Sequence, residues 1–177
     1  MNFNFFLQAS QPRLAKTPNY PENSLSDAIE EIYLANSEDM IMRWNWIYVP
    51  LNYKYDLSYI IVDIMQILEA LLGQDRGRFE TSFPSCDFAV TWKLHWSGPQ
   101  LKIDSHWEGV VGGTEPQLNA QPLLEIDKRS FLCEWKKPLV QVLADLRRAG
   151  YDTTLLPEMG RLQRIVAQIP EFGLLYR

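Results

Sequence analysis

Three side chains that could take part in chemistry alternate along one predicted strand. Asp104, His106 and Glu108 are each separated by a single residue, so a strand would point all three to the same face. An acid, a base and a second carboxylate on one face could bind a metal ion or carry out general acid–base catalysis. Lys93 and His95 would face the same way on the preceding strand. A small metal-assisted hydrolase is therefore one function class that the sequence allows.

The strand register predicted for this region keeps its two histidines apart. A turn at residues 97–100 places His95 and His106 four residues apart along the ladder, about 13 Å at roughly 3.3 Å per residue, whereas zinc ligands lie about 2 Å from the metal. We therefore favour a solvated polar face, which could equally be an interface. The register predicts these cross-strand pairs: Trp96 with Leu101, His95 with Lys102, Leu94 with Ile103, Lys93 with Asp104, Trp92 with Ser105, Thr91 with His106, Val90 with Trp107 and Ala89 with Glu108.

Other catalytic and cofactor signatures are missing from the sequence. It contains no Gly-x-Gly-x-x-Gly, Gly-Lys-Ser/Thr, Gly-x-Ser-x-Gly or His-Glu-x-x-His motif, so no cofactor is expected. Its two cysteines, Cys86 and Cys133, form no Cys-x-x-Cys pair, which favours a reducing, cytoplasmic compartment. The longest apolar stretch, residues 60–72, is interrupted by polar side chains and predicts no membrane span.

Hydrophobic spacing and turn residues predict an α+β fold. We expect one antiparallel sheet of about four to five strands, with three to four helices packed mainly on one face, in a single domain over residues 1–177. Helices are predicted to begin at Ser24, after Asp56 and Asp127 as N-caps, and at Pro157. Strands are predicted in the N-terminal arm and at residues 40–53, 78–82, 86–96, 100–107 and 123–126, and a loop at residues 109–122.

Six tryptophans could be core residues or exposed stacking platforms. Trp92, Trp96, Trp107 and Trp135 share a strand face or helical stripe with aliphatic residues, which favours burial. Trp44 and Trp46 are predicted to share one strand face with Met42 and Tyr48. An exposed aromatic side chain there would suit an interface.

Charge is distributed unevenly along the chain. The 177 residues include 22 acids and 17 bases, a net charge of −5 that disfavours nucleic acid as a partner and suits a basic protein. Residues 17–42 contain six acids and no lysine or arginine. A solvated helix face or a docking patch would explain this run. The side chains expected to bind a partner are Asp27, Glu30, Glu31, Glu38 and Asp39, and secondarily Asp104, His106 and Glu108.

Several stretches of the C-terminal half resemble immunity proteins of contact-dependent growth inhibition and other polymorphic toxin systems of bacteria. They are LKIDSHW at 101–107, LN at 118–119, LLEID at 123–127, FLCEWK at 131–136 and AGY at 149–151. The resemblance implies a small acidic cytoplasmic protein without catalytic residues. Such a protein would bind one cognate toxin domain, plausibly a basic nuclease, and cover its active site or substrate groove. An adaptor or structural subunit of a larger assembly is a further alternative.

Overall fold

A computed structural model describes residues 4–15, 24–85 and 87–171 and confirms the predicted α+β fold. Helices and strands occur along the chain in this order: β1 (Phe5–Gln8), α1 (Leu25–Ile32), β2 (Met40–Trp44), β3 (Ile47–Leu51), a π-helix (Tyr53–Leu57), α2 (Ser58–Gly73), β4 (Arg76–Pro84), β5 (Phe88–Ser97), β6 (Gln100–Val110), α3 (Glu115–Ala120), β7 (Leu123–Asp127), α4 (Lys128–Arg148) and α5 (Glu158–Gln168).

The strands form two antiparallel sheets instead of the single sheet that was expected. One sheet has the order β1-β2-β3, and the other has the order β4-β5-β6-β7. The β4-β5-β6-β7 sheet by itself has the number of strands expected for the single predicted sheet. The β1-β2-β3 sheet exists because the strand predicted over residues 40–53, with an interruption at Pro50, instead folds back on itself as the β2-β3 hairpin.

The turn of that hairpin corrects the prediction for Trp44 and Trp46. Asn45 and Trp46 form a two-residue turn in which both φ angles are positive, at 44° and 73°. Such turns usually carry glycine, because a left-handed backbone costs a bulky residue roughly 1–2 kcal/mol. The reversal leaves Trp44 buried with Met42 and turns Trp46 and Tyr48 outward, so the predicted common face is wrong. The sequence has no glycine at this turn to indicate it.

The register predicted for β5 and β6 is confirmed in seven of its eight pairs. Strand β5 pairs with β6 from Trp96 opposite Leu101 to Val90 opposite Trp107, as the alternation of apolar and polar residues on both strands indicated. The eighth pair is wrong. A bulge places Gly109 opposite Ala89, and Glu108 is the extra residue of the bulged strand.

The four predicted helices are present, and the start of α2 differs from the prediction. Ser24 caps α1 through the backbone N–H of Asp27, as expected. Asp56 does not cap α2: the helical segment begins earlier, with the π-helix, and Asn52 caps it. Helix α4 continues through Pro138, and α3 lies within the predicted loop at residues 109–122.

Stacked and edge-on aromatic rings join the two sheets. Trp44 on β2 stacks on Trp92 of β5 with ring centroids 5.1 Å apart, and it meets Trp107 of β6 edge-on at 5.4 Å. On the other side, Phe5 of β1 lies against Phe131 of α4 at 5.0 Å. The inward faces of both sheets therefore share one core with α4.

Two buried carboxylates of α4 hold β1 and α1 in place. Glu134 accepts the backbone N–H of Leu7 at 2.8 Å and pairs with Lys137 at 2.5 Å. Asp145 accepts the hydroxyl of Tyr33, directly after α1, at 3.0 Å. Burial raises the pKa of Tyr33 above its usual value, and the charge of Asp145 adds to this effect. Among the described residues, no helix has both the length and the apolar character that crossing a membrane requires.

Candidate protein-binding surface

Helix α1 presents acidic side chains at the protein surface. Its apolar face, including Ile29 and Ile32, is buried, so the amphipathic spacing turns Asp27 and Glu30 outward. Glu158 on α5 accepts the backbone N–H of Leu25 at 2.5 Å and fixes the start of the helix. Anchored at both ends by α5 and α4, α1 holds its carboxylates in a defined position.

The π-helix places tyrosines beside these acids. The side chain of Asn52 accepts the backbone N–H groups of Lys54 and Tyr55 at 2.9 and 3.2 Å, which starts the helical segment. π-Helices are rare and occur frequently at functional sites. Tyr55, in the π-helix, and Tyr59, in the first turn of α2, are both exposed. Lys54 donates to the backbone carbonyl of Glu30 at 2.5 Å and so ties this segment to α1.

Each of the two tyrosines lines a cavity. The first, of about 290 Å³, is lined by Asp27 and Glu30 of α1 together with Tyr59. The second, of about 240 Å³, is lined by residues that the chain brings together from distant positions. They are Asp39, Asn52, Tyr55, Asp56 and Asp87, with three apolar neighbours. We call the exposed set Asp27, Glu30, Asp39, Tyr55, Tyr59 and Asp87 the acidic surface.

Asp56 lies at the buried base of the second cavity. It accepts the backbone N–H of Asn52 at 2.8 Å and the hydroxyl of Ser85 at 2.7 Å, and only 1% of it is exposed. Burial raises the pKa of Asp56 above its usual value, while those two hydrogen bonds lower it. The charges of Asp87 and Asp39 raise it further. A cation entering the cavity would relieve this repulsion.

The charged groups of this surface are its carboxylates and Lys54, whose ammonium donates to the backbone carbonyl of Glu30 at 2.5 Å and lies 5.6 Å from the ring of Tyr55. Within the described part of the chain, no lysine, arginine or histidine forms an ion pair with Asp27, Glu30, Asp39 or Asp87. Asp39 instead accepts the side-chain N–H of Asn52 at 2.8 Å. This surface therefore combines negative charge, concave shape and exposed aromatic rings.

Two of the expected acids lie outside this set. Glu38 is exposed but pairs with Arg13 at 3.4 Å. Its pKa is held below the usual value, first by its own backbone N–H and also by the charge of Arg13. Glu31 is half-buried and is already engaged in an interaction. Residues 17–42 contain no lysine or arginine, and nothing in the sequence indicated that the fold would place Arg13 beside Glu38.

Asp104, His106 and Glu108 lie elsewhere, on the outward face of the four-stranded sheet. The structure does bring His106 and Glu108 together, with Nε2 and Oε1 3.9 Å apart, but both side chains are largely exposed. Their neighbours form cross-strand ion pairs, Lys93 with Glu80 at 3.7 Å and Lys102 with Glu125 at 2.5 Å. Lys93 lies opposite Asp104 in the register, as predicted, but its side chain forms an ion pair with Glu80.

A cavity of about 300 Å³ lies between β6 and β7 of this sheet, and its lining includes Lys102, Glu125 and Asp127 but not His106. Among residues 4–15, 24–85 and 87–171, no three histidine, cysteine, aspartate or glutamate side chains are grouped so that they could hold a metal ion. We call the exposed charges of β4 to β7 the outer sheet face.

Sequence reasoning missed Tyr55, Tyr59, Asp56 and Asp87 as members of the candidate site. The spacing of Asn52 and Asp56 is a capping signal that could have indicated the earlier helix start. Nothing local pointed to Asp87, which reaches the cavity only through the folding of β4 and β5. Compared with known proteins, the chain matches no family model, no curated protein and no solved structure.

Proposed function

We propose that this protein is an immunity protein that binds a cognate bacterial toxin domain and neutralises it by covering its active site or substrate groove. The single observation that carries the proposal is the acidic surface, whose two cavities are lined by carboxylates together with Tyr55 in one and Tyr59 in the other. Its chemistry is that of a surface that docks a basic protein. The resemblance of the C-terminal stretches to immunity proteins supports the assignment to toxin systems.

A nuclease domain is the partner class that fits this surface best. An enzyme acting on nucleic acid needs a basic groove to hold phosphates. Carboxylates spaced over a concave surface can engage the same lysines and arginines, and exposed tyrosines supply the aromatic contacts that often dominate binding energy. A specific complex of this kind buries about 1,600 Å² in total, so the acidic surface would form the centre of a larger interface.

Charge reversal at the acidic surface tests the proposal. The proposal expects the gene upstream to encode a large secreted protein with a variable C-terminal domain, and that domain, co-purified with the chain, is the partner to use. The double variant Glu30→Lys, Asp39→Lys is expected to bind about 100-fold more weakly, mainly through slower association, with little change in Tm. Raising the salt concentration should weaken wild-type binding in the same way.

The matched control reverses the same number of charges on the outer sheet face. Asp104→Lys with Glu108→Lys changes the net charge equally and is expected to alter the affinity less than about threefold, because long-range attraction alone is weak in salt. If both double variants lose affinity equally, the acidic surface is not the docking site. If neither chain nor variant binds or protects against the adjacent toxin domain, the immunity function itself is refuted.

A further inference from the structure

The outer strands of the two sheets differ in how their free edges are protected. These strands are β1 and β3 in one sheet and β4 and β7 in the other. On its free edge, an outer strand presents backbone N–H and C=O groups that have no partner within the sheet. Proteins usually cover or interrupt such edges, because an exposed edge pairs readily with a strand of another molecule.

Three of the four free edges are protected. At β1, the backbone N–H of Leu7 donates to the buried carboxylate of Glu134 at 2.8 Å. At β7, the carbonyl of Leu123 accepts the side-chain N–H of Asn45 at 2.9 Å. Strand β3 contains Pro50, which has no N–H to offer to another strand. None of these three edges is a continuous row of free backbone groups.

Strand β4 is the longest outer strand, and its free edge is open. It has nine residues, whereas β1 has four and β3 and β7 have five each. The N–H of Gly98 on the β5 side donates to the carbonyl of Asp75, directly before β4, at 2.8 Å. Because hydrogen-bonded pairs alternate in an antiparallel ladder, odd-numbered residues of β4 bond to β5. The residues whose N–H and C=O point to the free edge are therefore Arg76, Arg78, Glu80 and Ser82.

Nothing in the described part of the chain covers this edge. Within residues 4–15, 24–85 and 87–171, no hydrogen bond reaches the outward backbone groups of Arg76, Arg78, Glu80 or Ser82. The proline that interrupts β3 near its middle has a counterpart in β4 only at the last residue, Pro84. Four consecutive edge positions are thus available to another strand.

The charges along this edge complement themselves. Suppose that β4 pairs antiparallel with β4 of a second copy, related by a two-fold axis at Phe79. Arg78 then lies opposite Glu80 of the second copy, Glu80 lies opposite its Arg78, and Phe79 lies beside its Phe79. Moving the axis by one residue would set Arg78 opposite Arg78 or Glu80 opposite Glu80, which is unfavourable. The sequence of β4 therefore favours one self-pairing register.

Both charged side chains are free to reach across the edge. Arg78 is exposed and forms no ion pair with any described residue. Glu80 contacts Lys93 on β5 at 3.7 Å, and 63% of its side chain is exposed. One carboxylate can accept from two cations, because it has two oxygens. Pairing with a second copy would therefore not require the contact with Lys93 to break.

We propose that β4 pairs with β4 of a second copy of this chain in the register centred on Phe79, so that the two four-stranded sheets join into one. Each hydrogen-bonded pair of residues exchanges two backbone bonds, and a two-fold axis requires the self-complementary surface that β4 provides. Strand β4 lines neither cavity of the acidic surface, so the dimer does not depend on the proposed immunity function. One strand edge is a small interface, so we expect a dissociation constant of about 10 μM.

Sedimentation velocity on the full-length chain tests for the dimer. Between about 1 and 100 μM, the mass should rise from that of the 20.6 kDa chain to twice that value. A chain that stays monomeric over this range would overturn the proposal, because the edge would then not pair with itself. Trimers or larger species would also overturn it, because a two-fold pairing of edges closes after two copies.

Charge exchange tests the register. Arg78→Glu or Glu80→Arg should each weaken the dimer about tenfold or more, because like charges then oppose each other twice. An equal mixture of the two variants should restore dimers, and so should the double variant, since unlike charges again face each other. Asp104→Lys on β6 changes the net charge as much as Glu80→Arg does and should leave the dimer unchanged. If the mixture fails to dimerise, the proposed register is wrong and the proposal falls.

Hydrogen exchange followed by NMR separates strand pairing from a contact of side chains alone. The backbone amides of Arg78 and Glu80 should exchange more slowly at 100 μM than at 1 μM, because they become bonded in the dimer. The amide of Phe79, which is bonded to β5, should exchange equally at both concentrations. A dimer in which the amides of Arg78 and Glu80 gain no protection would show that the copies meet at another surface, which would refute the proposal.

Discussion

The acidic surface and the outer sheet face are both highly charged, but they use charge differently. On the outer sheet face, acids and bases alternate across strands and form pairs such as Lys102 with Glu125 at 2.5 Å. On the acidic surface, carboxylates line two cavities with no cation paired to Asp27, Glu30, Asp39 or Asp87 among the described residues. On the outer sheet face, acids and bases pair with one another and keep the sheet surface hydrated. On the acidic surface, carboxylates without ion pairs lie beside exposed tyrosines and can interact with a partner.

The comparison teaches that composition alone does not locate a binding surface. Asp104 and Glu108 met the same sequence criterion as Asp27 and Glu30, namely acids on one exposed face of an element. Their surroundings distinguish the two sets: Asp27 and Glu30 line a cavity with Tyr59, whereas the lysines beside Asp104 and Glu108 form ion pairs with Glu80 and Glu125 across the strands. The predictions below test whether that distinction governs binding.

Among changes that reverse no charge, the largest effect is expected from removing the tyrosine rings. Tyr55→Ala with Tyr59→Ala should weaken toxin-domain binding about 30-fold or more, because exposed aromatic residues at the centre of an interface carry much of its energy. Calorimetry with the toxin domain would measure the change. Tyr48→Ala is the matched control, since Tyr48 is as exposed as Tyr59 but lies on β3 and lines neither of the two cavities. A larger loss from Tyr48→Ala would move the toxin site away from the acidic surface.

A smaller effect concerns the protonation of Asp56. Its pKa is raised by burial and by neighbouring acids, so at about pH 5 the carboxyl is protonated more often than an exposed aspartate would be. A cationic partner favours the charged form, lowers this pKa and so drives proton release on binding. Affinity should therefore fall as the pH drops through the raised pKa.

Calorimetry in buffers of different ionisation enthalpy would measure that release. Wild type should release a fraction of one proton at about pH 5, and Asp56→Asn should release less. Asp104→Asn, on the outer sheet face, should release as much as wild type. Equal release from wild type and Asp56→Asn would mean that no cation enters the second cavity.

The smallest effect is expected from breaking an ion pair of the outer sheet face. Lys102→Met removes the partner of Glu125, and both side chains are about half exposed, at 54% and 55%. Solvent screening limits such pairs, so the free energy of unfolding should change by less than about 0.5 kcal/mol. Denaturant unfolding would measure it. A loss of several kcal/mol would show that this face depends on its charges for folding and would weaken the contrast drawn above.

The hydrolase and adaptor alternatives remain predictions that separate experiments address. A metal-assisted enzyme requires divalent metal binding that His106→Ala abolishes, which titration calorimetry on the wild type and the variant would show. An adaptor requires a stable larger assembly, which size measurement of the purified chain would reveal.

The sequence by itself determined α1, α2, α4 and α5 and the register of β5 with β6 up to the bulge. Apolar residues repeat at helical spacing in α2, and both strands of the hairpin alternate, so slipping the register by one residue would turn Trp92 or Ile103 outward. It also identified Glu30 and Asp39 as exposed acids, because burying these carboxylates would remove little apolar surface from water.

Only the tertiary structure decided which acids share a cavity and which tryptophan is exposed. Asp39, Asp56 and Asp87 come from three separated segments, and no local pattern encodes their approach. The turn at Asn45 and Trp46 lacks the glycine that would have indicated it; its backbone is stabilised by hydrogen bonds from Asn45 to Gln121 and Leu123. The local preferences of the residue types determine where helices and strands form. Contacts between residues distant in sequence determine backbone conformations that those preferences disfavour, such as the turn at Asn45 and Trp46.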